Sequence, residues 1–242
     1  MSEAPAPTSG WGGAPTGARD APRDPVEPIR WHWLGRAPFR RVWADQLALR
    51  ERVWAGADGA VLLCEHPPVI TLGRSATTAN ILDPGDVPIE RIERGGQVTY
   101  HGPGQLMIYP VVRLRSVLDF LARVGGAIAD GCAVLGVRGA AWRRDPAGVW
   151  CGDAKLAACG IHVARAVSVH GFALDVDTPD RAWARIRACG LDAPHASIAR
   201  LLADGSSGGA SSVTGALGRP ITVASVALEV GPRVAAALTA MR

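Results

Sequence analysis

Three apolar runs, Gly148–Cys151, Lys155–Val163 and Val167–Val176, follow one another with three residues between each. A parallel crossover needs a dozen or more residues, so runs this close pair as antiparallel hairpins. This excludes strict strand–helix–strand alternation. Further runs are Val61–Cys64 before Pro67-Pro68, Val69–Leu72 ended by Gly73, and Gln105–Val112. Pro110 cannot donate to a ladder and demands an edge or a bulge. Residues Leu34–Gly56 carry Val42, Leu47 and Val53 at helical spacing. Ser116 with Asp119 predicts a capped helix reaching Leu135. Thr178 as N-cap with Pro179 at the first helical position predicts a helix to Ala188, which Gly190 ends. Residues Val223–Met241 read as strand-like, then helical. The sum is a single mixed-sheet α/β domain over residues 29–242. Residues 1–28, with six Pro and four Gly, form a disordered tail, and Gly205–Ser212 a flexible surface loop.

Hydrophobic residues at 48% and charged residues at 20% are globular composition. No stretch reaches the roughly 18 apolar residues that span a membrane. The start, Met-Ser-Glu-Ala-Pro, lacks a basic segment followed by an apolar core, so no secretory signal is expected. Five irregularly spaced cysteines then read as reduced thiols of a cytoplasmic protein. They form no C-x-x-C pair, and no metal site is expected.

The net charge is +4, and of 26 basic residues only Lys155 is a lysine. A coding bias toward arginine is one cause. The other is chemistry: arginine stays protonated, whereas a desolvated lysine can lose its proton and act as a base. The arginines are scattered and aromatics are only 5%, which argues against nucleic acid and leaves an acidic protein as the partner that charge favours.

The densest chemistry lies in Arg94–Gln105, with four glycines, Pro103, Thr99, His101 and Arg94 in twelve residues. Glycine lets backbone pass close to a ligand and exposes N–H groups to it. Arg94 and His101 would fix a polar end; equally, such a hairpin could use its polar residues only to satisfy the turn. Neither the GxxxxGK[ST] nor the GxGxxG phosphate signature occurs in this segment. A second group, Gly148–Gly160, sets Lys155 among small residues that leave room for a substrate. A third, Ser168–Leu174, places His170 before Gly171 in an apolar strand, the usual setting of a core histidine. The fourth is Ala188-Cys189-Gly190.

Together these segments resemble the octanoyl-[acyl carrier protein]:protein N-octanoyltransferases, also called lipoyl(octanoyl) transferases, over roughly residues 30–203. The most specific part is Arg94–Tyr109. It fits R-G-G, two residues, T, an aromatic, H, two residues, G, Q, one residue, an aliphatic, one residue, Y, ending on Met107 and Tyr109. The resemblance implies the α/β fold shared by biotin and lipoate ligases. It implies Cys189 as nucleophile, in an element whose usual proline is Ala188 here, and Lys155 as its partner. It implies a substrate site lined by Arg94, Gly95, Gly96, Gln97, Val98, Thr99, Tyr100 and His101, then Ala158, Cys159 and Gly160, then Gly171, Phe172 and Ala173. The implied donor is octanoyl-acyl carrier protein. The implied acceptors are lipoyl domains of 2-oxoacid dehydrogenase complexes and the glycine cleavage H protein. No cofactor is implied, and a monomer is expected. An ATP-dependent lipoate or biotin ligase, a non-catalytic acyl-binding relative, and an amidotransferase acting between carrier proteins are the rival readings.

Overall fold

The computed structural model describes residues 27–188, 194–203 and 214–241. The Cys189-Gly190 pair, the Gly205–Ser212 stretch and residues 1–26 of the expected tail lie outside them.

The three hairpin-forming runs are the strands β8 (Ala147–Cys151), β9 (Ala154–Ala164) and β10 (Val167–Asp175), and all pair antiparallel. They extend a seven-stranded sheet in the order β1-β2-β6-β10-β9-β8-β7. Its other members are β1 (Arg30–Arg36), β2 (Ala60–Glu65), β6 (Gln105–Val111) and β7 (Ala140–Arg144). Only β1 and β2 pair in parallel within it. A three-stranded sheet, β4-β3-β5, uses β3 (Val69–Leu72), β4 (Ile89–Arg91) and β5 (Val98–His101).

Period-two alternation gives the large sheet two apolar faces. Val61, Leu63, Leu106, Ile108, Phe172 and Leu174 join the main core with helices α2 (Val117–Val134) and α5 (Val223–Thr239). On the opposite face Leu62, Cys64, Met107, Tyr109 and Ala173 pack with Val42 of α1 (Phe39–Trp54). Two short helices, α3 (Asp180–Trp183) and α4 (Ile198–Ala203), complete the described chain. No helix among the described residues is long and apolar enough to cross a membrane.

Four expectations need correction. Leu34–Arg36 belongs to β1, and α1 begins only at Phe39. Pro38 explains the boundary, because a proline biases the residue before it away from helix. The helix expected from Thr178 to Ala188 is one turn long, ending at Trp183. Thr178 does not cap it: its hydroxyl donates to Asp175 Oδ1 at 2.7 Å and to the Gly104 carbonyl at 3.3 Å. Residues 223–239 are helical from the start, under a capping box of Thr222 and Ser225 that outweighs the strand-like Val223 and Val226. Short strands β4, β5 and β7 have no counterpart in the runs read from sequence, being too brief or too polar to stand out.

Pro110 is the fourth case. It sits between β2 and β10, not at an edge. Regular pairing with β10 stops at Phe172–Ile108 and returns at the Arg113–Val167 bridge with the same offset, so no bulge residue is inserted. Where the ladder is broken, the Ser168 hydroxyl donates to the Pro110 carbonyl at 2.7 Å. The His170 N–H donates instead to Gln46 Oε1 of α1 at 2.7 Å, and His170 takes φ 62°. The missing proline N–H thus ties α1 to the sheet.

Helix α5 packs tightly on the sheet at Gly231, where a Cβ would stand 2.7 Å from Leu63 Cδ1 and 2.8 Å from Trp31 Cε3. A Gly231→Val variant should be overpacked by about 1–3 kcal/mol and lose several degrees in melting temperature. A melting temperature unchanged within a degree, by calorimetry, would show that α5 slides freely on the sheet.

Candidate functional site

A pocket lies between β6, β9 and β10 of the large sheet and the Arg94–His101 segment, with Phe39 of α1 at its side. The two short segments expected to line a substrate site face each other in register: Gly160 opposite Gly171, Cys159 opposite Phe172, Ala158 opposite Ala173. All six border the pocket. At two of the six, Gly160 and Gly171, close approach leaves no room for a side chain. A Cβ on Gly160 would lie 3.0 Å from the Gly95 carbonyl oxygen, and one on Gly171 only 2.0 Å from that of Ile108.

The glycine-rich segment contributes unevenly. Arg94, Gly96, Thr99 and His101 border the pocket; Gly95, Gln97, Val98 and Tyr100 do not. Alternation on β5 is the reason. Val98 and Tyr100 turn into the small core with Ile70 and Leu72. Gly95 instead clamps the loop, its N–H donating to the Ile161 carbonyl at 2.9 Å. Gln97 accepts from Asn80 Nδ2 at 2.8 Å. The pocket also includes Ile92, Met107, Tyr109 and His170, which were not assigned to it from sequence. Met107 and Tyr109 close the same motif at alternate positions of β6, and that periodicity could have found them.

Arg94 is 6% exposed. It donates from Nε to Thr71 Oγ1 at 3.1 Å and from Nη2 to the Thr71 and Gln97 carbonyls at 2.8 and 2.7 Å. This bonding ties the loop to β3. His101 Nδ1 donates to Gln105 Oε1 at 2.8 Å, leaving Nε2 to accept from the Thr71 hydroxyl at 3.3 Å. Burial, against the Gln105 bond, pushes His101 down to about 3, so the ring is neutral at neutral pH. His66 beneath the pocket is pushed down to about 4 by burial as well. Its Nδ1 donates to the Ala37 carbonyl at 2.6 Å, and Nε2 accepts from the Tyr109 hydroxyl at 2.9 Å. Glu93 stands 3.6 Å from His170 Nε2, and its carboxyl is held down to about 2, chiefly by hydrogen bonding to that ring.

Lys155 opens β9 three residues before Ala158 and is 6% exposed. It is not among the residues bordering the pocket. Its N–H donates to the Pro194 carbonyl and its carbonyl accepts from the Ala196 N–H, both at 2.9 Å. The ammonium lies 5.1 Å from the Trp150 ring centre, a cation–π distance. Cys189 lies outside the described residues, between Ala188 and Pro194.

Burial pushes the Cys64 thiol well up and that of Cys132 up to about 12, so neither supplies a thiolate at neutral pH. Cys151 is half-buried. One C-x-x-H pair does occur, Cys159 with His162. An odd spacing on β9 turns the two to opposite faces. No group of three or more metal-ligating side chains occurs among the described residues.

The lipoyl protein ligase A/B catalytic domain family matches residues 38–225. An octanoyltransferase of Mycolicibacterium gilvum is 37% identical over 226 residues, covering 89% of this chain and 88% of its own length. One of Gloeobacter violaceus is 40% identical, covering 71% and 74%. The chain belongs to this family, as one of its octanoyltransferases. Among solved structures, lipoate-protein ligase A bound with ATP matches with a TM-score of 0.65 at 13% identity, covering 88% of this chain and 86% of that one. A bipartite lipoate protein ligase of Thermoplasma acidophilum matches with 0.50 at 17%, covering 66% of each. At such identities the likeness is one of fold, and it agrees with the mixed-sheet architecture expected from sequence. In this octanoyltransferase the Arg94–Tyr109 motif spans both sheets and supplies residues of the pocket from each.

The depressed imidazoles set a pH dependence. His66 and His101 exclude a proton in the folded state that the unfolded chain binds below about 6.5. Their stabilising contribution is therefore complete above that value and lost as pH falls toward about 4 and about 3. Urea unfolding from pH 7 to 4 should lose about 1.4 kcal/mol per pH unit for each ring once below pH 6. In His101→Gln the slope should fall by about half. An unchanged slope would show that His101 is not held neutral.

Proposed function

We propose that this octanoyltransferase moves an octanoyl group from octanoyl-acyl carrier protein to the target lysine of lipoyl domains, through a thioester on Cys189. The acceptors are the lipoyl domains of 2-oxoacid dehydrogenase complexes and the glycine cleavage H protein. Residues 29–242 form the catalytic domain, acting in the cytoplasm as a monomer without cofactor or metal.

The observation that carries this reading is the pocket. Its walls are the backbone of residues 158–160 and 171–173 with the small Ala158 and Ala173, and Met107 and Phe39 as apolar lining. Such a space suits a linear acyl chain. The neutral His101 and the internally bonded Arg94 hold the loop around it without presenting a free charge to the hydrocarbon.

The chemistry needs two half-reactions. The Cys189 thiolate attacks the carbonyl carbon of the octanoyl thioester, and the tetrahedral oxyanion collapses with loss of the carrier's thiolate, which takes up a proton. The neutral amine of the acceptor lysine then attacks the enzyme thioester, forming the amide and releasing the Cys189 thiolate. An ordinary thiol is mostly protonated at neutral pH. Lys155, as a neutral amine, would accept the thiol proton and later that of the incoming lysine. The backbone N–H groups of the glycine-rich strands would serve the oxyanion.

Intact mass spectrometry after mixing with octanoyl-acyl carrier protein and no acceptor tests this. Wild type should gain one octanoyl adduct, labile to hydroxylamine, that Cys189→Ser lacks. Lys155→Arg puts a permanent cation at this position and should acylate at least about 10²-fold more slowly. An adduct that persists on Cys189→Ser, or no adduct without ATP, would overturn the thioester route.

A further inference from the structure

We propose that Asp175 and His195 form a positioning pair that couples the pocket motif to Lys155. This rests on the reading of Lys155 as the base.

Asp175 ends β10 and is 3% exposed. A carboxylate in that setting needs hydrogen bonds and a compensating charge. Its Oδ1 accepts from Gln105 Nε2 at 2.9 Å and from the Thr178 hydroxyl at 2.7 Å. Gln105 in turn accepts from His101 Nδ1 in the pocket wall. The second carboxylate oxygen, Oδ2, faces His195 Nδ1 at 3.9 Å. That nitrogen is buried and has no hydrogen-bond partner. The ring is stacked on Trp183 at 3.7 Å with 10° between planes, which fixes its orientation. Asp175, Thr178, Asp180, Trp183, His195 and Arg200 converge on this spot with no room for a water between them. The other charged groups there, Asp180 and Arg200, are paired with each other.

The link to Lys155 runs through backbone. Lys155 bridges His195 as neighbouring parallel strands do, with the Pro194 carbonyl and Ala196 N–H bonded on either side. The two Cα atoms are therefore about one strand spacing apart, roughly 4.8 Å. A sideways shift of His195 moves the pairing that holds Lys155. The polar chain His101–Gln105–Asp175–His195 thus runs from the pocket wall to the strand edge of the base. With Nδ1–H donating to Oδ2, the imidazole anchors that edge through a charge-assisted bond.

Because Lys155 is the sole lysine, reductive methylation with carbon-13 formaldehyde labels only its side-chain amine and the chain's amino terminus. The dimethylamine resonance then reports Lys155 directly. In His195→Leu and Asp175→Asn the resonance should shift or broaden. In the unmethylated proteins kcat should fall about tenfold or more, with KM for octanoyl-acyl carrier protein within twofold. His195→Asn, whose amide nitrogen stands near the Nδ1 position, should recover most of the rate. His195→Gln, whose nitrogen stands near Nε2, should not. That pair decides the matter if His195→Leu does not fold. Wild-type kcat in His195→Leu with an unmoved resonance, or equal rates in the Asn and Gln variants, would overturn the proposal. Full activity in Lys155→Arg would instead remove Lys155 as base, while the resonance still shows whether the pair positions it.

Discussion

The close approach of the glycine-rich loop to β9 is the constraint on which the site depends. One backbone bond, Gly95 N–H to the Ile161 carbonyl, closes the gap between two sheets that otherwise pair with separate partners. Room for that contact exists because Gly160 has no Cβ to meet the loop. Arg94 then fixes the loop's other side to β3, so backbone and guanidinium together hold a space that apolar packing alone would close. Gly160 is thus structural and functional at once: it admits the loop, and with Ala158, Gly171 and Ala173 it leaves a groove.

Much of this was legible in the chain. The hairpins β8–β9–β10 followed from three-residue gaps, and the two wall segments from their resemblance to a family motif. The family resemblance sets Val98 and Tyr100 beside Thr99 and His101, whereas alternation along β5 turns them away from the pocket. Thr178 before Pro179 looks like a helix cap locally, but a buried carboxylate at Asp175 competes for the same hydroxyl. No local rule contains that competitor. The same holds for Pro110, whose tolerance in a central strand depends on Ser168 and Gln46, both distant in sequence.

The two imidazoles beside the pocket are electrostatically quiet. His66 and His101 are neutral, and their nitrogens are assigned by fixed partners: the Ala37 carbonyl and Tyr109 hydroxyl for one, Gln105 and Thr71 for the other. Polar side chains near the pocket therefore work as a rigid frame rather than as proton donors. The carboxylates of Glu93 and Asp175 each face an imidazole, His170 at 3.6 Å and His195 at 3.9 Å.

The composition of the basic surface has a consequence for an enzyme whose substrate is an activated acyl group. A protein that draws its positive charge from surface lysines would offer its own amines to every reactive ester it handles. Here 25 of 26 cationic side chains are guanidinium groups, which stay protonated and do not acylate under mild conditions. The one side-chain amine, Lys155, is almost completely covered. The net charge of +4 thus rests on side chains that are nearly inert toward acyl donors, so it is not eroded by turnover.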